Sequence, residues 1–173
     1  MTVKVVLIGL PGSGKSTTGR RLAKILAVPF ADSDELVEAA TGRHVRELFA
    51  TAGEDGFREL ETAAIATALE RFDGVLALGG GAVLSAKTRA ALEASAVPIV
   101  LLQAPLPTLA IRVGDGRTRP LLAADPPGRL ATLATEREPL YAALATMTVQ
   151  TENRTLGQVA AHIAAKLHER TPK

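Results

Sequence analysis

Residues 9–17 read Gly-Leu-Pro-Gly-Ser-Gly-Lys-Ser-Thr and follow Val3 to Ile8, a stretch that is apolar apart from Lys4 and rich in β-branched residues. A strand of that composition, buried on both faces, belongs near the middle of a parallel sheet. The glycine-rich turn then opens a helix near Lys15, so that backbone N–H groups and the positive end of the helix dipole converge on one point. Strand, glycine turn and helix start together predict a cradle for the phosphates of a nucleoside triphosphate. Gly12, Ser13 and Gly14 are expected to line it, with Lys15 reaching the β and γ phosphates and Ser16 placing its hydroxyl on Mg²⁺. Thr17 is expected to donate to the phosphate nearest the ribose.

Further apolar runs at Gly74 to Leu78 and Val97 to Leu102, with shorter ones at Val28 to Ala31 and Met147 to Gln150, alternate with helical patterns. That alternation predicts an α/β fold, a three-layer α/β/α arrangement around a five-stranded parallel sheet. The last helix is marked by Leu156, Val159, Ala160, Ile163 and Leu167 at the 3.6-residue period, with Thr155 and Gln158 as a capping box. At 173 residues and 47% apolar composition, residues 1–173 fit one domain with its own core. Three stretches are expected to resist regular structure: Asp32 to Gly56, with short helical pieces among turn residues, Gly79-Gly80-Gly81, and Val113 to Gly128. The last holds Gly114, Gly116, Pro120, Asp125, Pro126, Pro127 and Gly128, and a loop of that length suggests a mobile lid.

Composition removes several classes of function. There are no cysteines, which excludes disulfides, thiolate zinc sites and a cysteine nucleophile. His44, His162 and His168 stand at no ligand spacing. The 20 basic and 18 acidic residues leave a net charge of +2, and the aromatics are only Phe30, Phe49, Phe57, Phe72 and Tyr141. With no basic excess and no stacking ladder, a nucleic-acid partner is not expected. No apolar run reaches membrane-spanning length and Met1 to Leu10 leaves no room for a signal peptide, so a soluble cytoplasmic protein is expected.

The cradle alone does not choose among GTPase, motor, regulator and small-molecule kinase. No Asn-Lys-x-Asp guanine-reading box is present, and the apolar runs end in glycines or in Gln103 rather than in an aspartate. The missing acid is supplied by Asp32-Ser33-Asp34, where carboxylates two apart in an extended chain face one side about 6–7 Å apart. One suits the metal and the other an acceptor hydroxyl, although the same acids also suit capping of a helix near Glu35. Arg58 and Glu61 are one helical turn apart, and a guanidinium held in one rotamer suits bidentate recognition of a carboxylate; a solvated ion pair has the same spacing. Gly79, Gly80 and Gly81 suit close approach of the backbone to a ligand, or a plain turn. Arg117 and Arg119 lie in the lid segment, where a cation neutralises transferred charge. Arg137 falls on a later helix, a position commonly at the surface.

Taken together, these residues resemble the shikimate kinase family, a branch of the nucleoside monophosphate kinase-like phosphate-loop proteins. The likeness rests on Gly9 to Thr17, Asp32-x-Asp34, Phe49 with Gly53-Glu54 and Phe57-Arg58-x-x-Glu61, Gly79-Gly80-Gly81, Arg119-Pro120-Leu121 and Arg137-x-Pro139-x-Tyr141. It implies transfer of the γ-phosphoryl group of ATP to the 3-hydroxyl of shikimate, on the path to chorismate and the aromatic amino acids. It also implies a phosphate-loop kinase fold whose acid-binding segment spans about 32–61 and whose lid spans about 113–128. The same resemblance implies that Asp34, Lys15 and Arg119 are catalytic, with Asp34 binding the acceptor hydroxyls and placed to deprotonate them, that Arg58 and Arg137 clamp the carboxylate, and that Gly80 meets the ring. Asp32 acts with Ser16 near one Mg²⁺ ion bound with ATP, Arg119 is the lid arginine with Arg117 as helper, and Arg112 and Arg154 contact adenine. Where relatives carry a proline beside the second adenine loop, this chain reads Asn153-Arg154-Thr155-Leu156. A monomer is expected. A gluconate kinase or nucleotide kinase on the same scaffold is the alternative enzyme, and an ATP sensor without chemistry the alternative class.

Overall fold

Strand β1 (Val5–Ile8) is buried along its whole length, between 0 and 1% exposed, because both of its faces are covered. In the computed structural model, which describes residues 3–114 and 125–170, β1 pairs in parallel with β3 (Val75–Ala77) and β4 (Ile99–Gln103). β2 (Phe30–Asp32) lies outside β3, and β5 (Met147–Gln150) outside β4, giving the order β2-β3-β1-β4-β5. This is the expected five-stranded parallel sheet. The phosphate loop, the acids after β2 and the glycine run after β3 therefore leave the same edge of the sheet, where ligands bind in open α/β folds.

The two-residue period of the strands sorts the core into two layers. Val5 and Leu7 join Val75, Ala77, Val100, Leu102 and Val149 against α1 (Lys15–Leu26) and α7 (Leu156–Arg170). Val6 and Ile8 join Leu76, Leu78, Ile99 and Leu101 against α3 (Val45–Arg71), α4 (Ala86–Ser95), α5 (Leu106–Val113) and α6 (Pro126–Leu144). Gly19 is needed where α1 crosses the sheet, since a Cβ there would collide with the Phe30 ring. The capping box of α7 forms as expected: the Gln158 amide N–H donates to Thr155 Oγ1 (3.2 Å) and the Thr155 N–H to Gln158 Oε1 (2.8 Å). Val159, Ala160 and Ile163 are buried beneath it.

Three expectations are corrected. Asp32 to Gly56 is largely helical, consisting of α2 (Ser33–Thr41) and the first part of α3. Gly42 ends α2 at φ 67° and Gly53 kinks α3 at φ 71°, so the turn residues punctuate helices rather than replace them. Pro126 to Gly128 are helical and open α6 rather than resisting regular structure; the Asp125 carboxylate caps the Gly128 N–H at 3.2 Å, and a proline suits the first helical turn. Pairing of β2 starts at Phe30 rather than Val28, because Pro29 has no N–H for the ladder. Among the described residues no helix is long and apolar enough to cross a membrane.

Candidate active site

The glycine turn after β1 takes the backbone it requires: Gly9, Gly12 and Gly14 have φ of 145°, 82° and 89°. A Cβ on Gly12 would come 2.9 Å from the Leu109 carbonyl, which shows how tightly the loop is drawn against α5. α1 begins at Lys15 with no side-chain cap, after Gly14 in the left-handed region. The Ser13 N–H differs from expectation by donating back to the Leu10 carbonyl at 3.2 Å. Lys15 Nζ reaches the carbonyls of Gly9 (2.8 Å) and Leu10 (3.1 Å), folding its charge over the turn. Thr17 is exposed beside it.

The acids after β2 are close together, but in a different geometry from an extended pair. Asp32 ends the strand in extended conformation and caps α2 by accepting the Asp34 N–H at 3.1 Å, while Asp34 lies in the first helical turn. Capping and a site role thus fall on the same residue. The other Asp32 oxygen accepts from Ser16 Oγ at 2.7 Å. A hydroxyl and a carboxylate in contact are hard oxygen donors suited to Mg²⁺. No group of three or more metal-binding side chains exists among the described residues, so an ion here would depend on phosphate oxygens and water for its remaining ligands. Burial, and then the Glu61 and Asp32 carboxylates, push the Asp34 carboxyl from 3.8 up to about 6, against the opposing pull of Arg58 and Lys15.

The glycine run is where distant segments meet. A Cβ on Gly79 would lie 3.1 Å from Asp34 Oδ1 and would collide with Glu61 Oε1. On Gly80 it would lie 3.5 Å from the Arg137 guanidinium and 3.4 Å from Pro11 of the phosphate loop, and on Gly81 it would collide with the Arg58 guanidinium. None of the three has a positive φ, so the requirement is for space and not for an unusual backbone. Asp34, Arg137 and Arg58 thus abut successive glycines of one segment, with the phosphate loop beside them. Arg58 and Arg137 also line a cleft of about 1330 Å³ with Thr62, Ser85 and Glu136; Asp34 is not part of that lining and meets the run at its Gly79 end.

Both arginines are held before any ligand is considered. Arg58 donates to Glu61 Oε2 at 2.5 Å and to Glu54 Oε1 at 3.3 Å, and its guanidinium lies 5.2 Å from the centroid of the Phe57 ring. Glu61 is 1% exposed. Arg137, which sequence position alone suggested was at the surface, is 3% exposed, and its ion pair with Glu136 is long at 3.6 Å. The Nε atoms of Arg58 and Arg137 are both buried without a hydrogen-bond acceptor among the described residues. Unsatisfied guanidinium donors flanking a backbone with no side chains suit a small acid.

At the opposite end of the cradle, Arg112 donates to Thr151 Oγ1 (2.9 Å) and to the Thr151 carbonyl (3.1 Å), which brings α5 to the loop containing Arg154. Arg154 is exposed, and Asn153 before it takes φ 56°. Arg117, Arg119 and most of the expected lid lie outside the described residues. Two residues gained no role from sequence reasoning. Ser33 Oγ accepts the Gly79 N–H (2.8 Å) and donates to Glu61 Oε1 (3.1 Å), tying α2 to the glycine run and to the carboxylate that holds Arg58. The Tyr141 hydroxyl stands between the carbonyls of Gly80 and Gly9. Neither role has a local sequence signal beyond membership of a motif.

The shikimate kinase family model matches residues 11–168. A shikimate kinase of Salinispora tropica is 52% identical over 162 residues, which make up 94% of this chain and 96% of the relative. The solved shikimate kinase from Acinetobacter baumannii in complex with shikimate superposes with a TM-score of 0.93 at 33% identity, covering 100% of this chain and 96% of that one. A gluconokinase from Sinorhizobium meliloti 1021 gives a TM-score of 0.66 at 23% identity, covering 99% and 98%, a likeness of fold alone. With a family model matched along most of its length and a relative more than half identical, the chain belongs to the shikimate kinase family.

Proposed function

We propose that this shikimate kinase family member transfers the γ-phosphoryl group of ATP to the 3-hydroxyl of shikimate, giving shikimate 3-phosphate and ADP, through the residues gathered at the glycine run. The observation that carries the reading is the contact of Asp34, Arg137 and Arg58 with successive glycines beside the phosphate loop. Because the transition state of phosphoryl transfer is loose, positioning and charge neutralisation outweigh strong base catalysis. In this reading Asp34 accepts a hydrogen bond from the attacking hydroxyl and orients its lone pair, and Lys15 follows the charge on the β and γ phosphates. Arg58 and Arg137 hold the carboxylate of shikimate, and Gly79, Gly80 and Gly81 let the ring approach the backbone. Ser16 and Asp32 hold a Mg²⁺ ion, which supplies neutralising charge to the phosphates when bound. Arg112 and Arg154 face adenine, and Arg119 meets the charge developing on the transferred group.

The whole chain is read as one kinase domain, with an acid-binding segment over 32–61 and a lid between Gly114 and Asp125. It is proposed to work as a monomer in the cytoplasm, where ATP is at hand. The large apolar side chains exposed among the described residues, Ile25, Leu60 and Ile111, stand on three different helices.

Two measurements test this reading. Incubation with ATP, Mg²⁺ and shikimate, followed by phosphorus NMR, should give one new phosphomonoester for each ADP formed; ADP with inorganic phosphate alone would overturn it. Arg137→Ala should weaken shikimate binding roughly 10- to 100-fold, as expected from the loss of a charge-assisted hydrogen-bonding partner. Calorimetry should show the ADP affinity unchanged, and an unaltered shikimate Kd would remove Arg137 from the clamp.

A further inference from the structure

Tyr141 is the only tyrosine in the chain and is 1% exposed. It sits on α6 one turn beyond Arg137, so the helix that presents the guanidinium to Gly80 also sends a phenol beneath the same residue. The hydroxyl lies 2.5 Å from the Gly80 carbonyl oxygen and 3.1 Å from the Gly9 carbonyl oxygen. Gly9 opens the phosphate loop and Gly80 is the middle of the glycine run, so one buried oxygen touches both halves of the site. A phenol has a single proton, and sharing it keeps two carbonyls together that would otherwise repel each other across a buried gap. The Gly9 side of the link is rigid: a Cβ on Gly9 would collide with the Leu102 carbonyl of β4, and Lys15 Nζ holds the Gly9 oxygen at 2.8 Å.

We propose that Tyr141 is a positioning residue whose hydroxyl sets the distance between the phosphate cradle and the acceptor pocket, and so governs turnover more than the affinity for either substrate. This rests on the reading of Gly80 as part of the shikimate pocket. In that reading the nucleotide is bound by Lys15 and the loop amides and the acid by the arginines and Asp34, of which Arg137 also hydrogen-bonds the phenol. The relative placement of the two reacting oxygens passes through the phenol, and misplacement by about 1 Å costs on the order of 100-fold in rate.

Tyr141→Phe removes one oxygen and keeps the ring in its place among Leu130, Leu133 and Leu144 of the same core. Its kcat should fall roughly 10- to 100-fold while the Kd for ADP stays within about threefold of the parent and the Kd for shikimate, whose clamp residue Arg137 touches the phenol, rises by clearly less than kcat falls. A kcat within about twofold of the parent, or a loss matched by weaker binding, would overturn the proposal. A purely structural tyrosine would lower Tm without splitting kcat from binding in this way.

Because the chain has one tyrosine, incorporation of 3-fluorotyrosine labels this site alone and keeps the hydroxyl, so a result is available even if the Phe variant does not fold. The fluorine resonance should move on addition of ADP alone and again on addition of shikimate alone; a resonance indifferent to either would contradict the link. If the parent forms no phosphomonoester, the functional reading fails. If the parent forms it and Tyr141→Phe forms it equally fast, only this inference fails.

Discussion

Asp34→Asn is expected to lower kcat about 10²- to 10⁴-fold, the range for loss of a positioned acid or base group, with the affinity for ATP unchanged. The substitution preserves shape and the start of α2 but removes the negative charge and basicity of the carboxylate beside Gly79. The same carboxyl sets the pH dependence. Its native pKa is about 6, against 3.8 for an unperturbed aspartate, because burial and two neighbouring carboxylates disfavour its charge. If the carboxylate is the working form, kcat/KM of the parent should fall on the acid side with a midpoint near pH 6. The effect on stability has the opposite sense. Between pH 3.8 and about 6 the folded state binds more protons than the unfolded state, so stability is lost as pH rises through that window and the cost is complete above it. Asp34→Asn should therefore melt above the parent at pH 7.5, with the advantage shrinking as pH approaches 4. An unchanged turnover, or a variant that melts below the parent at pH 7.5, would show that Asp34 is not the strained acceptor described here.

Glu61→Gln should lower both stability and acceptor binding. Glu61 is 1% exposed, and its two oxygens serve Arg58 and Ser33. Removing one charge from a buried pair leaves the other uncompensated and costs about 3 kcal/mol or more. For a chain of this size that is a fall in Tm of roughly 6–12 °C. The Arg58 side chain, only 14% exposed, would keep Glu54 as its one remaining ion pair among the described residues, a partner that is 45% exposed and can swing into water. A loosened guanidinium should raise KM for shikimate about tenfold or more with a smaller change in kcat. A second signature separates this from general loosening: losing the Glu61 charge removes a cause of the raised Asp34 pKa, so the acid limb of kcat/KM should move to lower pH. An acid limb that stays in place alongside a lowered Tm would assign Glu61 a packing role only.

The parts of this molecule that were legible in the sequence are those whose physics is local. A buried strand, a glycine turn and a helix start within residues 3–17 leave few alternatives, and the capping box of α7 is complete within four residues. Asp32 and Asp34 were legible as a pair but not as a geometry, because an N-cap and a strand end present the same residues to the eye. The path from Ser33 to Arg71 was obscured by Gly42 and Gly53, which look alike in sequence although Gly42 ends α2 and Gly53 only kinks α3. Burial of Arg137 and the roles of Tyr141 and Ser33 were not legible from spacing at all. Tyr141 meets Gly9 across 132 residues of chain and Ser33 meets Gly79 across 46, and these contacts exist only once the sheet order has brought the segments to one edge.

Acceptor choice reports most directly on what the buried arginines recognise. Initial rates of ADP release should be compared with shikimate, gluconate and a panel of nucleoside monophosphates at equal concentration, with ATP and Mg²⁺ fixed. Shikimate should support a rate at least about 100-fold above any other acceptor, since the buried guanidinium donors are left unpaired by a ligand that does not match them. A faster rate with gluconate or a nucleoside monophosphate, or ADP release that ignores the acceptor altogether, would contradict it.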